Sequence, residues 1–154
     1  MRTFVTGRAP NTAGSAPCRP CGSPRLPGCP AGRPLAFGKV AGAAFIGLPG
    51  NPVSSFVTFL IFVRPFVLKT QGVSATKPRI VEARADFDWP KPDARREFLR
   101  VKWNASGGLD LYPTQDSAVL TSTAWADGLV DNPPNQAIAK GDQVRLLPYS
   151  ELYR

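Results

Sequence analysis

Apolar positions begin to organise this chain only at Pro34. Residues Pro34–Val40 and Ala43–Leu48 are short apolar runs with little alternation, the pattern of two short buried strands. Pro49-Gly50-Asn51-Pro52-Val53-Ser54-Ser55 follows, then the apolar run Phe56–Val63. In that loop Gly50 suits a positive φ, Asn51 an N-cap, and Pro52 the first helical position, where no amide donor is needed. The pattern predicts a helix running to about Lys69, kinked near Arg64-Pro65 and closed by Gly72. It is apolar on every side, so it is either fully buried or a membrane span. Val53 to Leu68, interrupted by Arg64, falls short of the ~20 residues a bilayer demands, which favours a buried core helix and no membrane partner.

After a polar linker at residues 74–78, short alternating segments take over. Arg79–Phe87, Glu97–Asn104, Leu109–Pro113, Gly128–Asp131 and Gln143–Pro148 read as strands, with Gly107-Gly108 and Lys140-Gly141-Asp142 as turns. Five short strands in so few residues predict a small β-barrel or sandwich. The fold class expected is the strand–loop–helix tail of an α/β domain, residues 31–76, followed by a small all-β barrel domain, residues 77–154.

Composition changes this picture mainly at the amino-terminal end. Residues 7–34 are Gly, Arg, Ala, Pro, Cys or Ser apart from Asn11, Thr12 and Leu26. Such a stretch has almost nothing to bury; residues 1–30 are expected to be disordered, and their composition reads as a frameshifted or mispredicted start. No apolar run follows the basic start, as a secretory signal would require, so the localisation expected is cytoplasmic. Cys18, Cys21 and Cys29 include a Cys-x-x-Cys pair, but three cysteines and no histidine do not complete a zinc site. The net charge of +8 lies wholly in residues 1–76, which hold eight Lys/Arg and no acid, whereas residues 77–154 balance eleven against eleven. A basic block invites a nucleic-acid or anion partner. The balanced second half argues against nucleic acid.

Two places could carry chemistry. At the start of the helix the amides of Val53, Ser54 and Ser55 lack helical partners and meet the positive end of the helix dipole, which suits phosphate or an oxyanion. The plain alternative is a helix start that binds only water. In Arg95-Arg96-Glu97-Phe98-Leu99-Arg100-Val101-Lys102, a strand places Arg96, Phe98 and Arg100 on one face and Glu97, Leu99 and Val101 on the other. Two arginines flanking an aromatic can clamp a phosphate or stack on a ring, although such strands are more often merely half-solvated.

Three motifs in order then bring a family into view: Gly32-Arg33-Pro34-Leu35-Ala36-Phe37-Gly38, Gly47-Leu48-Pro49-Gly50-Asn51-Pro52-Val53-Ser54-Ser55, and Arg95-Arg96-Glu97-Phe98-Leu99-Arg100. With Gln115-Asp116-Ser117 and Ala126-Asp127-Gly128-Leu129 behind them, residues 31–148 resemble the molybdopterin molybdenumtransferases, the MoeA/gephyrin group. The resemblance implies the end of that family's molybdopterin-binding α/β domain followed by its carboxy-terminal barrel, in an enzyme that works as a homodimer. It implies insertion of molybdate into adenylylated molybdopterin, with Mg²⁺ and release of AMP. By the same resemblance, Pro49, Pro52 and Ser117 belong to the catalytic pocket. Arg33, Gly50, Asn51, Ser54, Ser55 and Arg100 are the expected cofactor-binding residues, and no metal ligand is assigned. Asp116 stands where the family usually has Gly, and Leu26 and Pro30 stand at the positions of two functional lysines. The family's magnesium-holding acids lie further upstream, so this chain alone is expected to be inactive. The alternative is a non-catalytic binding or assembly module.

Overall fold

The computed structural model describes residues 35–153. The expectations for residues 1–30, the three cysteines and Arg33 lie outside that range. Strands β1 (Ala36–Val40) and β2 (Ala43–Gly47) pair antiparallel, Ala36 opposite Gly47 and Val40 opposite Ala43. Ala41 and Gly42, with φ of 50° and 86°, make the turn; two successive positive φ angles match the right-handed twist of a tight hairpin. The expectation of buried strands does not hold. Ala36 is buried, but Phe37 is 53% exposed although its ring meets Phe66 edge-on at 5.5 Å. A two-stranded ribbon has two faces, and the described residues cover little of either.

A helix runs from Pro52 to Thr70, 19 residues, and by length and composition alone is long and apolar enough to cross a membrane. Its middle, Phe59–Val63, is a wider π-helical turn in which the Arg64 amide donates to the Phe59 carbonyl, five residues back. The wide turn sits just before Pro65, whose ring would collide with the Ile61 carbonyl in a regular α-helix. Gly72, at φ 89°, ends the helix: its amide reaches the Lys69 carbonyl and the Val73 amide the Leu68 carbonyl, at 3.1 and 3.0 Å. The helix is not buried all round. Val53, Ser54, Val57, Thr58 and Leu60 are, while Phe59 and Val67 are exposed. One face is packed and the rest is not.

Strands β3 (Val81–Arg84), β4 (Glu97–Trp103), β5 (Leu109–Leu111), β6 (Gly128–Asn132) and β7 (Gln143–Pro148) form one antiparallel sheet in the order β3-β7-β6-β4-β5. The sheet curls into a half-barrel, and a bridge between Ala85 and Leu109 brings its two edges together at one end. The Asp86 amide bonds the Leu109 carbonyl at 3.0 Å beside it. Alternation sorts the side chains. Ala83, Leu99, Val101, Leu109, Val130 and Leu146 fill the concave interior. Phe98, Leu129 and Leu147 face outward, and there Val53, Val57 and Leu60 of the helix pack on them with Tyr149 and Leu152. Strand β4 is thus covered on both faces, and Phe98 and Arg100 are 9% and 4% exposed. The half-solvated reading of that strand is corrected: the helix lies over it.

Candidate functional site

Between the helix start, strand β4 and the loop after β5 lies a cleft of about 330 Å³, lined by Ser54, Arg96, Arg100, Gln115 and Ser117 among others. Three residues singled out in three separate motifs, Ser54, Arg100 and Ser117, therefore meet here. Pro49, Gly50 and Asn51 of the adjoining loop, and Pro52 and Ser55 of the first turn of the helix, do not line the cleft.

The helix start differs from expectation in its hydrogen bonds. The Val53 amide donates to the Ser117 carbonyl at 3.2 Å, and the Ser55 amide to the Asn51 carbonyl at 2.8 Å. The Ser55 hydroxyl donates to the Pro49 carbonyl. Asn51 makes no capping bond with its side chain, and its Oδ1 is buried without a partner among the described residues. A barrel loop has taken the capping role, so the expected row of free amides is reduced. Gly50 is not among the positive-φ glycines, which is a second correction. Ser54 keeps its chemistry: it is 1% exposed, and its Oγ is buried with no hydrogen-bond partner among the described residues.

Arg100 supplies the charge. Its Nε donates to the Ser122 hydroxyl at 3.0 Å, and its Nη2 to the carbonyls of Thr114 and Asp116 at 3.2 and 3.1 Å. These acceptors are neutral, so the guanidinium is held without being neutralised by them. Burial pushes its pKa down, and the nearby Tyr149, Asp116 and Tyr112 oppose that shift. An arginine nevertheless stays protonated in proteins. Its two neighbours are matched differently: Arg96 forks onto Asp131 at 2.5 and 2.8 Å, and Arg95 onto Asp93 at 3.1 and 2.8 Å. The Asp116 carboxylate accepts from the Ala118 amide at 2.8 Å, within its own loop.

The sequence reading missed Ser122 and the work of Gln115. The available signal was Arg100 itself, since a cation between Leu99 and Val101 must find acceptors if its strand is covered. Among the described residues no group of three or more His, Cys, Asp or Glu could hold a metal ion. Glu97, in the cleft, already accepts from Trp89 Nε1 and the Asp93 amide.

A curled antiparallel half-barrel carries a helix across its outer face, with an arginine-bearing cleft at the junction. Similarity to known proteins is more specific. Residues 82–149 match the family described as MoeA C-terminal region (domain IV). The chain is 46% identical over 70 residues to the molybdopterin molybdenumtransferase of Haemophilus influenzae, covering 45% of this chain and 17% of that protein. It is 32% identical over 117 residues to molybdopterin molybdenumtransferase 2 of Mycobacterium tuberculosis, covering 75% of this chain and 29% of that one. The fold is shared with the crystal structure of the molybdopterin biosynthesis moeA protein from Pyrococcus horikoshii. That match has a TM-score of 0.61 at 24% identity, and covers 76% of this chain and 30% of that one. This chain is thus a relative of the molybdopterin molybdenumtransferases, the MoeA/gephyrin family, through its carboxy-terminal part. It spans less than a third of the length of either curated relative.

Proposed function

We propose that this chain acts in molybdenum cofactor biosynthesis as the carrier of one side of an anion site for molybdate or the phosphates of adenylylated molybdopterin. Residues 31–76 then correspond to the end of a molybdopterin-binding domain, and residues 77–154 to the barrel beyond it. The observation that carries the reading is that Ser54, whose buried hydroxyl has no partner among the described residues, lines the same cleft as Arg100. A buried hydroxyl without a partner costs free energy, and an anion oxygen would supply the missing acceptor. Arg100, itself buried, would contribute fixed positive charge from a position shielded from water, where charge counts for more. Pro49 and Pro52 would shape the approach, with Gly50 and Asn51 between them and Ser55 in the first turn of the helix. The cytoplasm is the compartment that suits this role.

In this reading the reaction itself takes further groups from outside residues 35–153. The chain alone is expected to release no AMP from adenylylated molybdopterin above background; molybdate-dependent release by the purified chain would overturn that part. Binding is tested by titrating inorganic molybdate into wild type and a Ser54→Ala variant. Alanine removes an unsatisfied polar atom, so stability should hold or rise slightly, while molybdate affinity falls. Equal affinity in the two proteins would show that the cleft is structural only.

A further inference from the structure

We infer that Gln115 is a positioning residue, one that fastens the Ser117 loop onto the helix start and so sets the geometry of the cleft. The inference rests on the functional reading above for its ligand, but its geometry stands on its own. Strand β5 pairs with β4 only as far as Val101–Leu111, and the Tyr112 amide adds one more bond to the Arg100 carbonyl at 3.0 Å. Pro113 comes next and has no amide to donate, so the ladder must stop. The Gln115 side chain takes over where the backbone cannot. Its Oε1 accepts from the Arg100 amide at 2.9 Å, and its Nε2 donates to the carbonyls of Arg100 and Tyr112 at 3.3 and 3.1 Å. A carboxamide has the donor–acceptor pairing of a peptide group, and here it stands in for one along the edge of β4.

The same strand residue grips the loop from its other end. The Arg100 guanidinium holds the Thr114 and Asp116 carbonyls, on either side of Gln115. Backbone and side chain of Arg100 therefore fix residues 114–116 together, and Ser117 follows directly. Its carbonyl then lies 3.2 Å from the Val53 amide, joining the barrel loop to the helix start. Gln115 acts on the cleft through this loop, since it places both Ser117 and the cap on Val53.

The test uses the full chain and two variants. Gln115→Met keeps the length and bulk and removes all three hydrogen bonds. Gln115→Glu keeps the acceptor for the Arg100 amide and, ionised, loses both donors. Hydrogen exchange at the Val53 amide reads the loop contact, and titration with inorganic molybdate reads the site. Loss of these bonds should lower Val53 protection about tenfold in the Met variant, with the Glu variant between it and wild type. Molybdate affinity should fall in the same order, while the global unfolding midpoint stays near that of wild type. If wild type binds no molybdate, the functional reading fails, and the exchange order still decides the role of Gln115. Wild-type protection of Val53 in the Met variant would overturn the inference, as would a lowered midpoint with Val53 protection falling only in step with every other amide.

Discussion

A methyl group at Gly128 would sit 2.6 Å from the Leu147 carbonyl oxygen and 3.1 Å from Pro148 Cα, both backbone atoms of the neighbouring strand. Neither can move without breaking the β6–β7 ladder, so Gly128→Ala should cost ~1–3 kcal/mol of stability. At Gly50 the same methyl meets nothing within 4 Å. Gly50→Ala should therefore change stability by less than about 0.5 kcal/mol. Denaturant unfolding of the two variants checks this, and the opposite order would contradict the packing. Charge acts at the same scale. Arg84 donates to both oxygens of Asp86, at 2.9 and 3.1 Å, and Asn104 Nδ2 adds a bond at 2.8 Å. The Arg84 bond, then the Asn104 bond, hold the Asp86 carboxyl well below the usual carboxylate range. A depressed folded-state pKa contributes stability above the unfolded value of about 3.9 that is lost as pH falls below it. Asp86→Asn should flatten the fall of the unfolding midpoint on acidification below about pH 4. Parallel acid profiles for the two proteins would remove Asp86 from the account.

Elements were legible where local chemistry decides them. Gln143–Pro148 is a strand over the residues its alternation indicates, and Gly72, Gly107 and Gly141 take the positive φ that their turns require. The helix begins at Pro52 for the local reason as well, but its cap is the Ser117 carbonyl, more than sixty residues away along the chain. No local pattern encodes such a partner. The helix also shows why an apolar run says little about direction: Phe59 and Leu60 are adjacent and equally apolar, yet Phe59 is 45% exposed and Leu60 is 1%. Leu60 packs in the cluster with Phe98, Leu129, Leu147 and Leu152. Leu60→Ala should cost about 2–5 kcal/mol, whereas Phe59→Ala should cost far less than a buried aromatic would. Thermal or denaturant unfolding separates them, and similar losses would mean that the helix face is assigned wrongly.

At the scale of the whole molecule, two apolar clusters share one sheet. The interior cluster draws only on residues between Ala83 and Leu146, so the barrel supplies its own concave core. The outer cluster is shared, with Val53, Val57 and Leu60 from the helix and Phe98, Ala126, Leu129, Leu147, Tyr149 and Leu152 from the barrel segment. The sequence showed the alternation that fills the first cluster. It did not show the second, because an outward Phe98 beside Arg96 and Arg100 has the pattern of a half-wet face until the helix is laid over it. This division decides how a shortened chain behaves. Residues 77–154 alone keep every member of the interior cluster and all five strands of the sheet, so they should still unfold in one cooperative transition. They lose the cover over Phe98, Leu129 and Leu147, and with it the edge-to-face contact of Phe56 on Tyr149 at 5.7 Å. The uncovered face is a contiguous apolar patch, which should lower the midpoint, bind an environment-sensitive apolar dye and promote self-association. Residues 35–153 should bind less of the dye at the same concentration. Equal midpoints and equal dye binding would show that the helix adds nothing to the barrel, and the shared outer core would then have to be abandoned.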